Sequence, residues 1–198
     1  MDLLLIRHGQ SNANKQRLLI SNSEDQLSSL GKHQSETLKI TLASMNIKPD
    51  LIYSSPWMRA RQTAEILFDN PSDQIQFDER LAETNPGIFG TWKEEKFNGE
   101  YPDFNKDINN KYEGGESHLE MTARVGQWVS AVVSPDAAGS GMLCAVAHGG
   151  PISVMLQVLL GIPVESHYPS FTVPNASFTL LKWRSDKGRF CAERVGQT

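Results

Sequence analysis

The stretch LLLIRHGQSNAN, from Leu3 to Asn14, decides how the chain folds. An unbroken apolar run, Leu3 to Ile6, leads directly into Arg7 and His8, with Gly9 next. Such a run bounded by polar residues fits a strand buried on both faces, as strands are in a parallel sheet. A core does not accept an arginine and a histidine without partners, because desolvating them costs more than their burial returns. The strand therefore predicts a polar site at its carboxyl end.

Working outward, a polar loop is expected to about Gln26. Ser28 then caps a helix carrying Leu30, Leu38, Leu42 and Met45, which ends before the turn at Lys48, Pro49 and Asp50. DLIYSS (Asp50 to Ser55) reads as a second strand. Pro56 is expected to start a helix with Ala60, Ala64, Ile66 and Leu67, since proline is tolerated in a first turn. QIQFDE (Gln74 to Glu79) is a weak strand, and Thr84 to Tyr112 reads as short helices and loops. Ser117 and Glu120 form a capping box ahead of a helix whose apolar face is Val125, Trp128, Val129 and Val132. MLCAVAHGG is a further buried strand, PISVMLQVLLG a helix, and SFTLLKWR with RFCAERV a hairpin across SDKG. Strands alternating with helices predict an α/β fold in three layers, a mostly parallel central sheet flanked by helices. One domain is expected over residues 1–198, with a lid-like insertion at about 84–113.

Composition narrows the function. A net charge of -4 and a pI near 5.7 exclude a general attraction to nucleic acid or to an anionic membrane, so any anion must be held by a few well-placed cations. Cys144 and Cys191 cannot make a disulfide framework, which points to the cytoplasm. The apolar run from Ile152 to Val164 is interrupted by Gln157, Gly161 and Pro163 and is too short to span a bilayer. Nothing in the sequence decides between a monomer and a homodimer.

Three strands end alike: the first in Arg7 and His8, the second in Ser54 and Ser55 with Arg59 nearby, the last parallel one in His148, Gly149 and Gly150. Loops at the carboxyl ends of parallel strands converge on a ligand crevice. Two of these ends also lead into helices at Pro56 and Pro151, whose first-turn N–H groups favour an anion. Two arginine forks match phosphate oxygens, and a neutral histidine held through its second nitrogen can attack phosphorus.

Those residues resemble a known family. RHGQSNAN is similar to the R-H-G-x-[ST]-x-x-N signature of the histidine phosphatase superfamily, the group named for phosphoglycerate mutases. LSSLGKHQ, SSPWMRARQTA, LAE at Leu81 to Glu83, GGES and VAHGG resemble its further motifs, in family order over about Leu3 to Gly150. The resemblance implies that His8 attacks phosphorus and is phosphorylated. Arg7, Arg59 and His148 would neutralise the phosphoryl oxygens, and Glu83 would protonate the leaving oxygen. Asn14, Ser11, Ser21, Asn22 and Gly149 would contact a small phosphorylated substrate. No metal or cofactor is implied. A zinc site of His8, His148 and Cys144 is disfavoured, because Cys144 lies four residues back along its strand, in the core.

The activity expected is a phosphomonoesterase, with phosphoglycerate mutase-type transfer as the alternative. A mutase needs extra basic groups for a carboxylate, whereas Lys93, Lys96, Lys106 and Lys111 are diluted by acids and GIFGTW looks more like the phosphatase branches. A binding module that lost its chemistry would lack a histidine or an arginine, and none is missing. Where the family commonly has a glycine and D-x-P-L, this chain has SNSEDQLS, with Ser21 and Gln26 at the glycine and proline positions. Lys15, Arg17 and Trp92 are further candidate contacts. Arg61 is expected to face elsewhere, and His33, His118 and His167 are expected at the surface or in packing.

Overall fold

A computed structural model describes residues 1–69, 74–133, 141–163 and 169–198. Its elements are β1 (Asp2–Arg7), α1 (Asn12–Gln16), α2 (Ser29–Ser44), β2 (Leu51–Ser54), α3 (Met58–Phe68), β3 (Gln76–Phe77), α4 (Glu94–Glu100), α5 (His118–Val132), β4 (Met142–Ala147), α6 (Gly149–Leu160), β5 (Phe178–Arg184) and β6 (Arg189–Gln197). They form a sheet of order β3-β2-β4-β1-β5-β6. The first four strands of that order run parallel, and β5 and β6 join as an antiparallel hairpin beside β1.

Because side chains alternate along a strand, β1 feeds two cores at once. Leu3 and Leu5 pack with Leu143 and Ala145 of β4 against Met121, Val125 and Trp128 of α5 and Ile152 and Met155 of α6. Leu4 and Ile6 pack with Cys144 and Val146 against Leu38 and Leu42 of α2 and Ala60, Ala64 and Leu67 of α3. The expected three-layer α/β arrangement follows. Leu3 to Ile6 are at most 1% exposed, and burial on that scale stabilises by about 1.5–3 kcal/mol per side chain.

The predicted elements are found with three corrections. The expected loop to Gln26 contains α1, whose capping box pairs Ser11 with Asn14 in place of the usual glutamate or glutamine. Its five residues carry no apolar stripe, so no periodicity announces it. Pro56 does not open α3: Trp57 is the N-cap, and the Ser55 hydroxyl accepts the Trp57 N–H. Leu30 is half exposed, because it lies in the first turn of α2 on the side away from the sheet. A third, smaller cluster of Phe89, Phe97 and Tyr112 organises the segment after Glu83. His167 lies outside the described residues.

Candidate active site

Backbone contact holds the turn after β1. A Cβ on Gly9 would come within 2.4 Å of the Gly31 carbonyl oxygen, and one on Gly31 within 2.0 Å of the Gln10 carbonyl oxygen, so only glycine at both positions lets α2 approach this closely. Thr63 of α3 accepts the Gly9 N–H at 3.1 Å, and Gln34 of α2 accepts the Gln10 N–H at 2.9 Å. Residues of the second and third motifs thus clamp the loop that carries His8.

His8 is 2% exposed and His148 fully buried, with ring centroids 5.0 Å apart. His8 Nδ1 lies 2.6 Å from the Gly9 carbonyl oxygen, which can only accept, so the proton resides on Nδ1. Nε2 keeps its lone pair, and Arg59 Nε donates to it at 3.2 Å. Burial, reinforced by Arg59 and then Arg7, holds the His8 pKa well below 6.5 and keeps the ring neutral. An incoming phosphoryl group would take over the Arg59 donor and free the lone pair.

His148 Nε2 lies 2.8 Å from Ser55 Oγ. That hydroxyl accepts from the Trp57 N–H and keeps one proton and one lone pair, so it can either donate to Nε2 or accept from it. With the hydroxyl donating, the ring proton stands on Nδ1, which is buried and has no protein partner among the described residues. Burial first, then Arg59, His8, Arg7 and Arg124, holds His148 well below 6.5. Two neutral rings therefore meet here, and in that tautomer they present one lone pair and one N–H donor.

Arg59 is 2% exposed; Nη1 donates to the Asn22 carbonyl at 3.0 Å and lies 3.8 Å from Asp25 Oδ2. Burial lowers its pKa to about 10 against the opposing pull of Glu83 and Asp25, so it stays charged at neutral pH. Arg7 donates to the Val173 carbonyl, and its guanidinium carbon lies 3.5 Å from where a Gly149 Cβ would stand. The arginine thus lies against the N-terminus of α6.

Glu83 lies opposite. One carboxylate oxygen accepts the Thr84 N–H at 2.9 Å and the other the Gly150 N–H at 3.4 Å. Arg124 of α5 holds this segment in place. Its Nη1 donates to the carbonyls of Arg80 and Ala82, its Nη2 to the Glu83 carbonyl and to Glu116, and its Nε to Glu116. All five guanidinium hydrogens are engaged. Outside this group opens a cleft of about 650 Å³ bordered by Trp57 and Glu83, the first of which contacts the His148 ring edge-on at 5.3 Å.

The structure brings His8, His148, Arg7, Arg59, Glu83 and Gly149 together. Asn14 stands behind them: its side-chain oxygen accepts from the Ser11 N–H and from Asn175 Nδ2, and Asn175 also donates to the His8 carbonyl. Ser11 is fully buried beside them, and its hydroxyl accepts from the Asn14 N–H as the cap of α1. Ser21 and Asn22 line the cleft. Ser21 has φ of 78°, which accounts for the glycine common there in the family. The exposed Lys15 and Arg17 do not line this cleft, and Trp92 packs on Phe89 beneath Lys96. Arg61 faces away and pairs with Glu65, His33 is exposed, and His118 is packed against Asn105. Cys144 is sealed in the core. Trp57, Arg124, Glu116 and Asn175 were assigned no role in the site from the sequence, and Ser55 only a place among the polar strand ends. Ser55, Trp57 and Glu116 lie within quoted motifs, whereas Arg124 and Asn175 lie in none.

The profile described as the histidine phosphatase superfamily (branch 1) matches residues 3–194. A glucosyl-3-phosphoglycerate phosphatase of Mycolicibacterium vanbaalenii is 31% identical over 188 residues, which cover 90% of this chain and 83% of that protein. A probable phosphoglycerate mutase GpmB of Yersinia enterocolitica is 29% identical over 168 residues, 82% of this chain and 76% of that protein. Among solved structures, a mycobacterial glucosyl-3-phosphoglycerate phosphatase complexed with VO3 aligns with a TM-score of 0.82 at 26% identity, over 100% of this chain and 99% of that one. The α-ribazole phosphatase of Shigella flexneri aligns with a TM-score of 0.86 at 21% identity, over 100% and 96% of the two chains, an agreement of fold alone. A profile that spans nearly the whole chain, with relatives that match across most of their own length, means that the chain belongs to the histidine phosphatase superfamily.

Proposed function

We propose that this protein is a phosphomonoesterase that hydrolyses a small phosphorylated metabolite through a phosphohistidine on His8. The observation that carries the reading is the state of that ring: Nδ1 is committed to the Gly9 carbonyl, and Nε2 retains its lone pair beside Arg59 and His148. Nε2 forms the N–P bond as the bond from phosphorus to the leaving oxygen breaks. Arg7, Arg59 and the Nδ1–H of His148 neutralise the phosphoryl oxygens, and the α6 N-terminus at Gly149 adds a donor. Protonated Glu83 gives its proton to the leaving oxygen, and the alcohol departs. Glu83, now a carboxylate, takes a proton from water as that water attacks phosphorus. The N–P bond then breaks, phosphate leaves, and His8 is restored.

The phosphatase names of relatives at up to 31% identity favour water as acceptor over mutase-type transfer. Arg124, with all its hydrogens engaged, also offers no grip to the carboxylate of a bound sugar acid. The cytoplasmic location expected from two unpaired cysteines belongs to this reading, as does a monomer or homodimer as the working unit.

The test is a phosphate-release assay with acid-quench labelling. Wild type should release phosphate from a general phosphomonoester and carry an acid-labile, base-stable phosphoryl label on His8. His8→Ala should lose turnover by about 10⁴-fold or more and carry no label. Label on a serine or an aspartate would refute the assignment.

A further inference from the structure

The outer cleft has a charge opposite to that of the pocket it serves. Among the described residues, Glu24, Glu79, Glu83 and Glu116 line it against one cation, Arg124. That arginine is saturated: two of its hydrogens meet the Glu116 carboxylate, at 2.6 and 3.1 Å, and the other three meet backbone carbonyls. It holds a loop and has no donor left for a ligand. Glu24 and Glu79 are exposed at the mouth, where their charges act on whatever occupies the cleft. Besides these charges, Trp57, half-buried between the cleft and His148, contributes an aromatic ring to the wall.

We infer that the substrate is a phosphomonoester whose alcohol portion bears no carboxylate or second phosphate and carries an ammonium group: a phosphorylated amino alcohol or amino sugar. The inference rests on the phosphatase reading and concerns what lies beyond the transferred phosphate. The phosphoryl dianion enters the cationic inner pocket. The rest of the molecule stays in a cleft whose lining, among the described residues, carries a net charge of -2 while Glu83 holds the proton it gives to the leaving oxygen, from Glu24, Glu79, Glu116 and Arg124, and -3 once Glu83 is ionised. A carboxylate there meets repulsion with no free cation among the described lining residues to offset it, whereas an ammonium group is attracted by Glu24 and Glu79 and can hydrogen-bond to them. The cleft volume of about 650 Å³ admits a group of sugar size. This departs from what the names of the relatives suggest, since a phosphoglycerate carries a carboxylate.

The experiment compares phosphate release from phosphoethanolamine, glycerol 3-phosphate and 3-phosphoglycerate, three small phosphomonoesters with a positive, a neutral and a negative alcohol portion. The same preparation is assayed on p-nitrophenyl phosphate, with His8→Ala as control. The kcat/KM should fall in that order, with phosphoethanolamine above 3-phosphoglycerate by about tenfold or more at low salt and the gap closing as salt is raised. In the double variant Glu24→Gln/Glu79→Gln the ratio should shrink toward unity. A ratio below about threefold, or a reversed one, overturns the inference, as does a ratio unmoved by the double variant. Failure to release phosphate from p-nitrophenyl phosphate in a His8-dependent way would instead overturn the phosphatase reading on which it stands.

Discussion

The inner pocket and the outer cleft differ in charge, in burial and in the parts of the fold that build them. The inner pocket is formed by the ends of β1, β2 and β4 and the starts of α3 and α6, and it gathers Arg7, Arg59 and two buried histidines. The cleft is formed by loops, from Ser21 to Glu24 and from Glu79 to Gly87, with Glu116 just ahead of α5, and its lining is acidic. Positions held by a sheet are rigid enough for chemistry, which tolerates little displacement. Loops carried on that frame can change charge and shape without moving the reacting groups, so they are where selectivity resides.

Glu83 stands where the two regions meet, and its removal has the largest expected effect on the comparison. Glu83→Gln should lower kcat by about 10²–10⁴-fold on alkyl phosphomonoesters, whose leaving oxygen needs a proton. The loss should be much smaller on p-nitrophenyl phosphate, whose leaving group departs as an anion. Equal losses on both substrates would mean that Glu83 acts by shaping the cleft and not by moving a proton.

The next effect separates the regions by pH. His8 and His148 are held well below 6.5, and His118, packed beneath the aromatic cluster, is lowered to about 4 by burial. Their folded pKa values are depressed, so the unfolded chain binds protons that the folded one refuses as pH falls below about 6.5. Stability should be full above that pH and decline beneath it, by up to about 1.4 kcal/mol per pH unit for each histidine. Denaturant titrations of the unliganded protein at about pH 7.5 and 5.5 measure this. A flat profile would show that the inner pocket accepts protons without cost.

The smallest effect is at the cleft. Ser21 occupies a left-handed backbone conformation that costs an L-residue about 1 kcal/mol. Ser21→Gly should therefore raise stability by up to about 1 kcal/mol, less the entropy glycine loses on folding. Its thermal melt checks the sign, and a clear loss would mean that the serine side chain supports the loop.

Much of this arrangement was legible in the residues. The apolar run before Arg7, the capping box at Ser117 and the glycine pair after His148 are local signals, and each marks an element that the structure contains. The proposed site was legible in part from the polar residues at three strand ends, whereas Glu83 was reached only through the family resemblance. The capping role of Ser11 was not legible, because a serine near a histidine gives no local sign of its partner, and the Asn14 N–H at 3.2 Å shows it only in the structure. Arg124 and Asn175 carry no local mark. Their partners, the carbonyls of Arg80 to Glu83 and the side chain of Asn14, lie 41 or more positions away.

The sequence by itself determined the layers, the order of strands and helices, and which ends of the sheet would be polar, because hydrophobic period and capping are written in neighbouring residues. The tertiary structure alone decided that Arg59 reaches His8 Nε2, that Arg124 has no donor left for a ligand, and that the described lining of the outer cleft is acidic. Those properties depend on distances of about 3 Å between residues far apart in the chain, and such distances exist only once both cores have packed.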